Sequence, residues 1–183
     1  MKAMKKILAF ALAGVMALAL LTGCGTGGSA SHKSIAKAMA DYDHSYWGQT
    51  AITYTSSAEL DALLQTLAAD PGFKTAVKVV YTDDQASLSK IRTYFSTNPA
   101  LSGNPALSNK VVYLYCGKYD KDAGKQAINL NAHPACISTS NPYLADERQI
   151  GLITTSFTDT NGEKVKVRFA VVVSKIPAAT PVT

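Results

Sequence analysis

The alternation between Glu163 and Ile176 constrains the fold more than any other stretch of this chain. Val165, Val167, Phe169, Val171 and Val173 fall on one side of an extended segment, and Lys164, Lys166 and Arg168 fall on the other. A period of two predicts a strand with one dry side and one wet side. Asp159-Thr160-Asn161-Gly162 precedes it and is a hairpin turn signal. Residues 150–158 supply the partner strand, so the C-terminal part reads as an antiparallel hairpin.

Upstream the pattern is helical and extended by turns. Ile35, Met39, Tyr42 and Tyr46 recur at helical spacing and predict a helix over 33–47. Residues 50–55, rich in Thr, Ile and Tyr, read as a strand. Ser56 and Glu59 match a capping box, and Leu60, Leu63, Leu64 and Leu67 follow as a helical stripe, so 57–69 reads as a helix stopped by Asp70-Pro71-Gly72. Val77, Val79, Val80 and Tyr81 read as a buried strand over 75–82. Asp83 or Asp84 can cap a further helix carrying Leu88, Ile91 and Phe95, which Asn98-Pro99 ends. Asn-Pro-Ala-Leu-Ser occurs at 98–102 and again at 104–108. Two copies are too few for a solenoid and read as successive turns pinned by Leu101 and Leu107. Residues 110–116 read as a strand, 125–131 as a further one, and 132–149 as irregular. The expected fold class is α+β, with one mixed sheet of about five strands packed against two or three helices. A doubly wound α/β sheet is the alternative. It would put Thr55-Ser56-Ser57 and Thr82-Asp83-Asp84 at a ligand site, although helix capping explains the same residues.

The N-terminal stretch speaks to location. Lys2, Lys5 and Lys6 precede an uncharged run of 15 residues from Ile7 to Leu21, which ends in Leu21-Thr22-Gly23-Cys24. That layout is an export signal, too short to be a spanning helix of about 20 residues. The Leu-Thr-Gly-Cys ending resembles the lipobox of bacterial lipoproteins. The resemblance covers residues 1–24 only. It implies removal of 1–23, lipidation of Cys24, and a lipid-anchored domain on the extracytoplasmic side of the cell membrane or outer membrane. Residues 24–32 then read as lipidated cysteine and flexible tether, 33–176 as a single globular domain, and 177–183 as a frayed tail. Loss of three lysines with the signal takes the formal charge from +5 to +2, which leaves no footprint for nucleic acid.

The three cysteines are Cys24, Cys116 and Cys136. With Cys24 lipidated, an exported chain would pair Cys116 with Cys136 in a disulfide, the alternative being two buried thiols. Cys116, His133 and Cys136 form an incomplete zinc set, so no metal and no cofactor are expected. Asp41, Asp43 and His44 read as a solvated helix end, and residues 146–148 as an exposed turn. Phosphate-loop, nucleophile-elbow, His-Glu-x-x-His and Cys-x-x-Cys motifs are all missing from the sequence, and no catalytic residue is assigned. Tyr113 and Tyr115 share one face of their strand, which makes them the candidate partner-binding pair. The expected function is a non-enzymatic binding module whose partner is an envelope protein or a cell-wall polymer. The alternative is a small envelope hydrolase or metal-dependent enzyme using His133, His44 or Asp83 and Asp84.

Overall fold

A five-stranded mixed sheet organises the molecule, with strands in the order β1-β4-β5-β2-β3. The computed structural model describes residues 29–138 and 143–176. The strands are β1 (Thr53–Ser56), β2 (Lys110–Lys118), β3 (Ala135–Cys136), β4 (Glu147–Thr158) and β5 (Lys164–Lys175). Only the β1–β4 pair is parallel, and the other three pairings are antiparallel. Among the described residues five α-helices accompany them: α1 (His32–Trp47), α2 (Ala58–Leu67), α3 (Pro71–Tyr81), α4 (Leu88–Thr97) and α5 (Ala123–Leu130). The fold is α+β.

Helices cover both faces of the sheet. On the first face, α2, α3 and α4 bury Leu60, Leu64, Phe73, Val77, Ile91 and Phe95 against Val112, Leu114, Phe169 and Val171. On the second, α1 and α5 bury Ile35, Met39 and Leu130 against Tyr115, Ile150, Leu152, Ala170 and Val172. This corrects the expectation of one wet side on β5. The Val165–Val173 face is dry as read, but the opposite face is also buried from Arg168 through Ser174. Two glycines let helices close in. A Cβ on Gly151 would strike Leu60 of α2, and one on Gly117 would strike the Asn129 carbonyl at the end of α5.

Two segments read as strands are helices. Asp70 does not merely end α2: its carboxylate accepts from the Gly72 N–H at 2.7 Å and caps α3, with Pro71 in the first turn. Phe73, Ala76, Val77 and Val80 then face the core at helical spacing, so a run of β-branched residues was outweighed by its cap and period. Residues 125–131 likewise belong mostly to α5, because Asp122 accepts from the Lys125 N–H at 2.8 Å and Gln126, Ala127 and Leu130 share a buried face. The α2 cap is Ser57, one residue after the expected Ser56.

The 98–108 repeat is two equivalent turns. Asn98 Oδ1 accepts from the Ala100 N–H, and Asn104 Oδ1 from the Ala106 N–H, both at 2.9 Å. Leu101 and Ala106 are buried and Leu107 packs against the first core. The hairpin between β4 and β5 turns at Asp159, whose carboxylate accepts from the Asn161 and Glu163 N–H groups, with Gly162 at φ +83°.

Residues 29–32, read as part of the tether, are instead placed in the fold. Ser31 caps α1, and the Ala30 N–H donates to the Lys121 carbonyl at 2.8 Å. Cys24 and the 177–183 tail lie outside the described residues.

Candidate functional site

A groove of about 440 Å³ opens at one end of the sheet, on the first face. The register builds it. Thr53 pairs with Glu147, Thr55 with Gln149, Gln149 with Val173, and Lys175 with Lys110. Side chains directly opposite one another share a face, so these residues line one polar surface with Val173 as its apolar floor. The helices leave it open because α2 crosses β4 at Gly151, beyond the Glu147–Gln149 segment. Thr53, Thr55, Glu147, Gln149 and Lys175 are exposed. Lys110 Nζ donates to Gln149 Oε1 at 3.4 Å. Neither Lys110 nor Lys175 has an ion-pair partner among the described residues. Like charges directly opposite on a ladder are unfavourable; the Glu147 carboxylate lines the groove beside Thr53, and the two ammonium groups make the Lys110 and Lys175 side the part suited to an anionic, hydrogen-bonding ligand.

Beneath this end, on the second face, lies a buried polar network. Arg148 Nη1 donates to Asp43 Oδ2 at 2.9 Å and to the Tyr54 hydroxyl at 2.7 Å, and Tyr54 donates to the same carboxylate oxygen at 2.8 Å. Arg148 Nε donates to the Ala145 carbonyl at 3.0 Å. Burial drives the Tyr54 phenol far above its ordinary pKa, so it acts here as a neutral donor. The network corrects two expectations: Asp43 is 4% exposed and not part of a solvated helix end, and Arg148 is not in an exposed turn. It ties α1 to β1 and β4 and so fixes the strands that carry Thr53, Thr55 and Gln149.

Tyr113 and Tyr115 do not form an exposed pair. Tyr115 is 4% exposed within the second core, and Tyr113 is half-buried beside it with ring centroids 6.2 Å apart. Burial, then the neighbouring Cys136, pushes the Tyr113 phenol up to about 12. Because α1 and α5 cover this face, Tyr115 belongs to the core and Tyr113 packs against it partly exposed, which differs from the open pair of rings expected. The expected disulfide fails on register. Cys136 pairs with Tyr113 and shares its face, whereas Cys116 lies three residues further along β2, on the opposite face. Both cysteines are free thiols, Cys116 buried and Cys136 half-buried. Burial pushes the Cys116 thiol well up, which makes it a poor nucleophile.

The titratable candidates are dispersed. His44 Nε2 lies 2.8 Å from the Ile52 carbonyl, and Asp41 pairs with Lys37. His133 Nδ1 lies 3.4 Å from Asp83 Oδ2 with both side chains nearly half exposed, while Asp84 caps the short turn before α4. No group of three or more His, Cys, Asp or Glu residues that could hold a metal occurs among the described residues. The sequence reading missed His32 and Asp61. Asp61 Oδ2 lies 2.7 Å from His32 Nδ1, and its Oδ1 accepts from the Leu152 N–H at 2.7 Å. Since β1 pairs with β4 only through Ile150, Asp61 satisfies the edge of β4 beyond it. That is a structural task, and no pattern in sequence announces it.

The opposite end of the sheet receives the chain from its N-terminal side. The Tyr119 hydroxyl donates to Ser29 Oγ at 2.8 Å, and Arg168 donates through Nη1 to the Ala30 carbonyl at 3.3 Å and through Nη2 to Ser29 Oγ at 3.4 Å. Lys166 to Lys175 is nine residues along β5, or about 30 Å at strand rise. Groove and chain entry therefore stand at opposite ends. Among the described residues no helix is long and apolar enough to cross a membrane. Comparison with known proteins finds no matching family model, no similar curated protein and no similar solved structure.

Proposed function

We propose that this chain is a lipid-anchored, non-enzymatic binding module of the cell envelope, tethered through Cys24, whose groove holds an anionic cell-wall polymer. The observation that carries the reading is the separation of the two ends. Leu21-Thr22-Gly23-Cys24 lies immediately upstream of a segment docked at the Tyr119 end, while Lys110 and Lys175 stand at the other without an ion-pair partner among the described residues. An anchor at one end turns the groove away from the lipid and toward the wall. A row of Thr, Gln and Lys side chains along an open sheet end matches an extended chain carrying repeated anionic and hydroxyl groups. The hydrolase reading has less behind it, because His133 and Asp83 meet on the surface and belong to no group of three or more His, Cys, Asp or Glu side chains among the described residues.

The test is co-sedimentation of the detergent-solubilised protein with isolated cell wall. The expected result is retention that falls at least tenfold in the Lys110→Glu, Lys175→Glu double variant with no loss of folded signal. Equal retention of the double variant contradicts the groove. An intact mass without acyl chains contradicts the anchor.

A further inference from the structure

Arg168 is 3% exposed, and it lacks a carboxylate partner among the described residues. Of the other buried charged side chains among the described residues, Asp43 pairs with Arg148, and Asp61 is hydrogen-bonded by His32 and the Leu152 N–H. Among the described residues Arg168 has long hydrogen bonds to Ser29 and Ala30, the Tyr119 side chain beside it with the ring centroid 5.2 Å away, and an Nε with no acceptor. A desolvated cation without a counter-charge is costly, and negative charge outside this end of the sheet would offset part of that cost. Lys166 Nζ adds a second positive charge 3.9 Å from the same ring, and the Lys121 ammonium, near enough to act on the Tyr119 phenol, a third. The neighbouring carboxylates of Asp120 and Asp122 are engaged by the Asp122 and Lys125 N–H groups.

Chain length fixes what this end faces once Cys24 carries lipid. Five peptide steps separate Cys24 from Ser29, a reach of at most about 18 Å. Ser29 is itself bound to Tyr119 and Arg168, so the cationic cluster stays beside the anchoring bilayer. We infer that Tyr119, Lys121 and Lys166, backed by the buried Arg168 that holds Ser29 and Ala30, seat this end of the sheet on the anionic headgroups of the membrane that holds Cys24. The inference rests on the anchoring reading above. A tyrosine with an apolar ring and polar tip, flanked by long basic side chains, suits a headgroup layer. Seating this end leaves the groove about 30 Å distant along β5. The lipid supplies attachment, and the cluster supplies orientation.

The experiment uses the lipidated protein, purified from membranes and reconstituted into vesicles of phosphatidylglycerol or of phosphatidylcholine. Amine-labelling rates are read lysine by lysine by mass spectrometry. Lys121 and Lys166 are expected to label about fivefold more slowly on phosphatidylglycerol than on phosphatidylcholine, while Lys110 and Lys175 label equally on both. Equal rates for Lys121 and Lys166, or equal protection of Lys110 and Lys175, overturn the seating. The intact mass of the same sample separates the two readings. Acyl mass with equal labelling overturns the headgroup contact alone, whereas absence of acyl mass overturns the anchor and this inference with it.

Discussion

Lys110 and Lys175 are direct register partners across β2 and β5, so two like charges face each other at the open end of the sheet. On a ladder that arrangement costs up to about 1 kcal/mol. Lys175→Glu should therefore stabilise the domain by roughly 0.5 kcal/mol in urea unfolding while weakening polymer binding. A variant that loses stability would show that the lysine pair is structural and would remove the main argument for an anion at this site.

Asp43 is the buried counter-charge of Arg148. Asp43→Ala leaves the guanidinium and the Tyr54 hydroxyl without their acceptor and should cost about 3–5 kcal/mol. Replacing the pair together, Asp43→Leu with Arg148→Met, should recover much of that loss, because apolar residues of similar volume carry no desolvation penalty. Denaturant midpoints of the wild type and of both variants check this. A single variant within 1 kcal/mol of wild type, by about the size of an exposed pair, would contradict the buried network.

The two thiols should differ in reactivity. In unreduced, native Cys24→Ser protein, Cys136 is expected to alkylate first. Cys116, buried and raised in pKa, should react only as the domain unfolds. Peptide mapping that recovers the two cysteines linked would contradict the β2–β3 register.

Asp70 gives a pH dependence with a definite sign. Burial alone would raise its pKa, but the hydrogen bonds it accepts, led by the Gly72 N–H and including the Asn98 amide, hold it below its ordinary 3.8. A depressed carboxylate stabilises the folded state above its unfolded pKa, and that contribution is lost as pH falls through the lower folded value. Thermal midpoints should drop with acidification below 3.8, and Asp70→Asn should flatten the slope in that window. An unchanged slope would show that Asp70 is not held as the α3 cap.

Some of this architecture was legible in the residues and some was not. The β4–β5 hairpin was, because period-two alternation and an Asp-Thr-Asn-Gly turn act locally. The stripe Leu60, Leu63, Leu64, Leu67 was legible for the same reason. The helix α3 was misread because Val77, Val79 and Val80 favour a strand by propensity, whereas the Asp70 cap and the spacing from Phe73 decide the outcome. Tyr113 and Tyr115 were misread because alternation reports which residues share a face and not what covers it. Here α1 and α5, far apart in the sequence, come together to bury the second face. The groove itself depends on the register of four strands and on where α2 stops, neither of which is written in any single segment.

The most direct test of the account is a titration of isotopically labelled Cys24→Ser protein with poly(glycerol phosphate), followed by amide chemical shifts. A polymer seated between the strands should move the signals of Thr53, Thr55, Lys110, Gln149 and Lys175 in a saturable way. The amides of Tyr119 and Lys166, some 30 Å distant along the sheet by strand rise, should hold still. Shifts confined to the Tyr119 end, or no shifts under conditions where the wild-type protein pellets with isolated wall, would contradict the claim that the groove is the binding site.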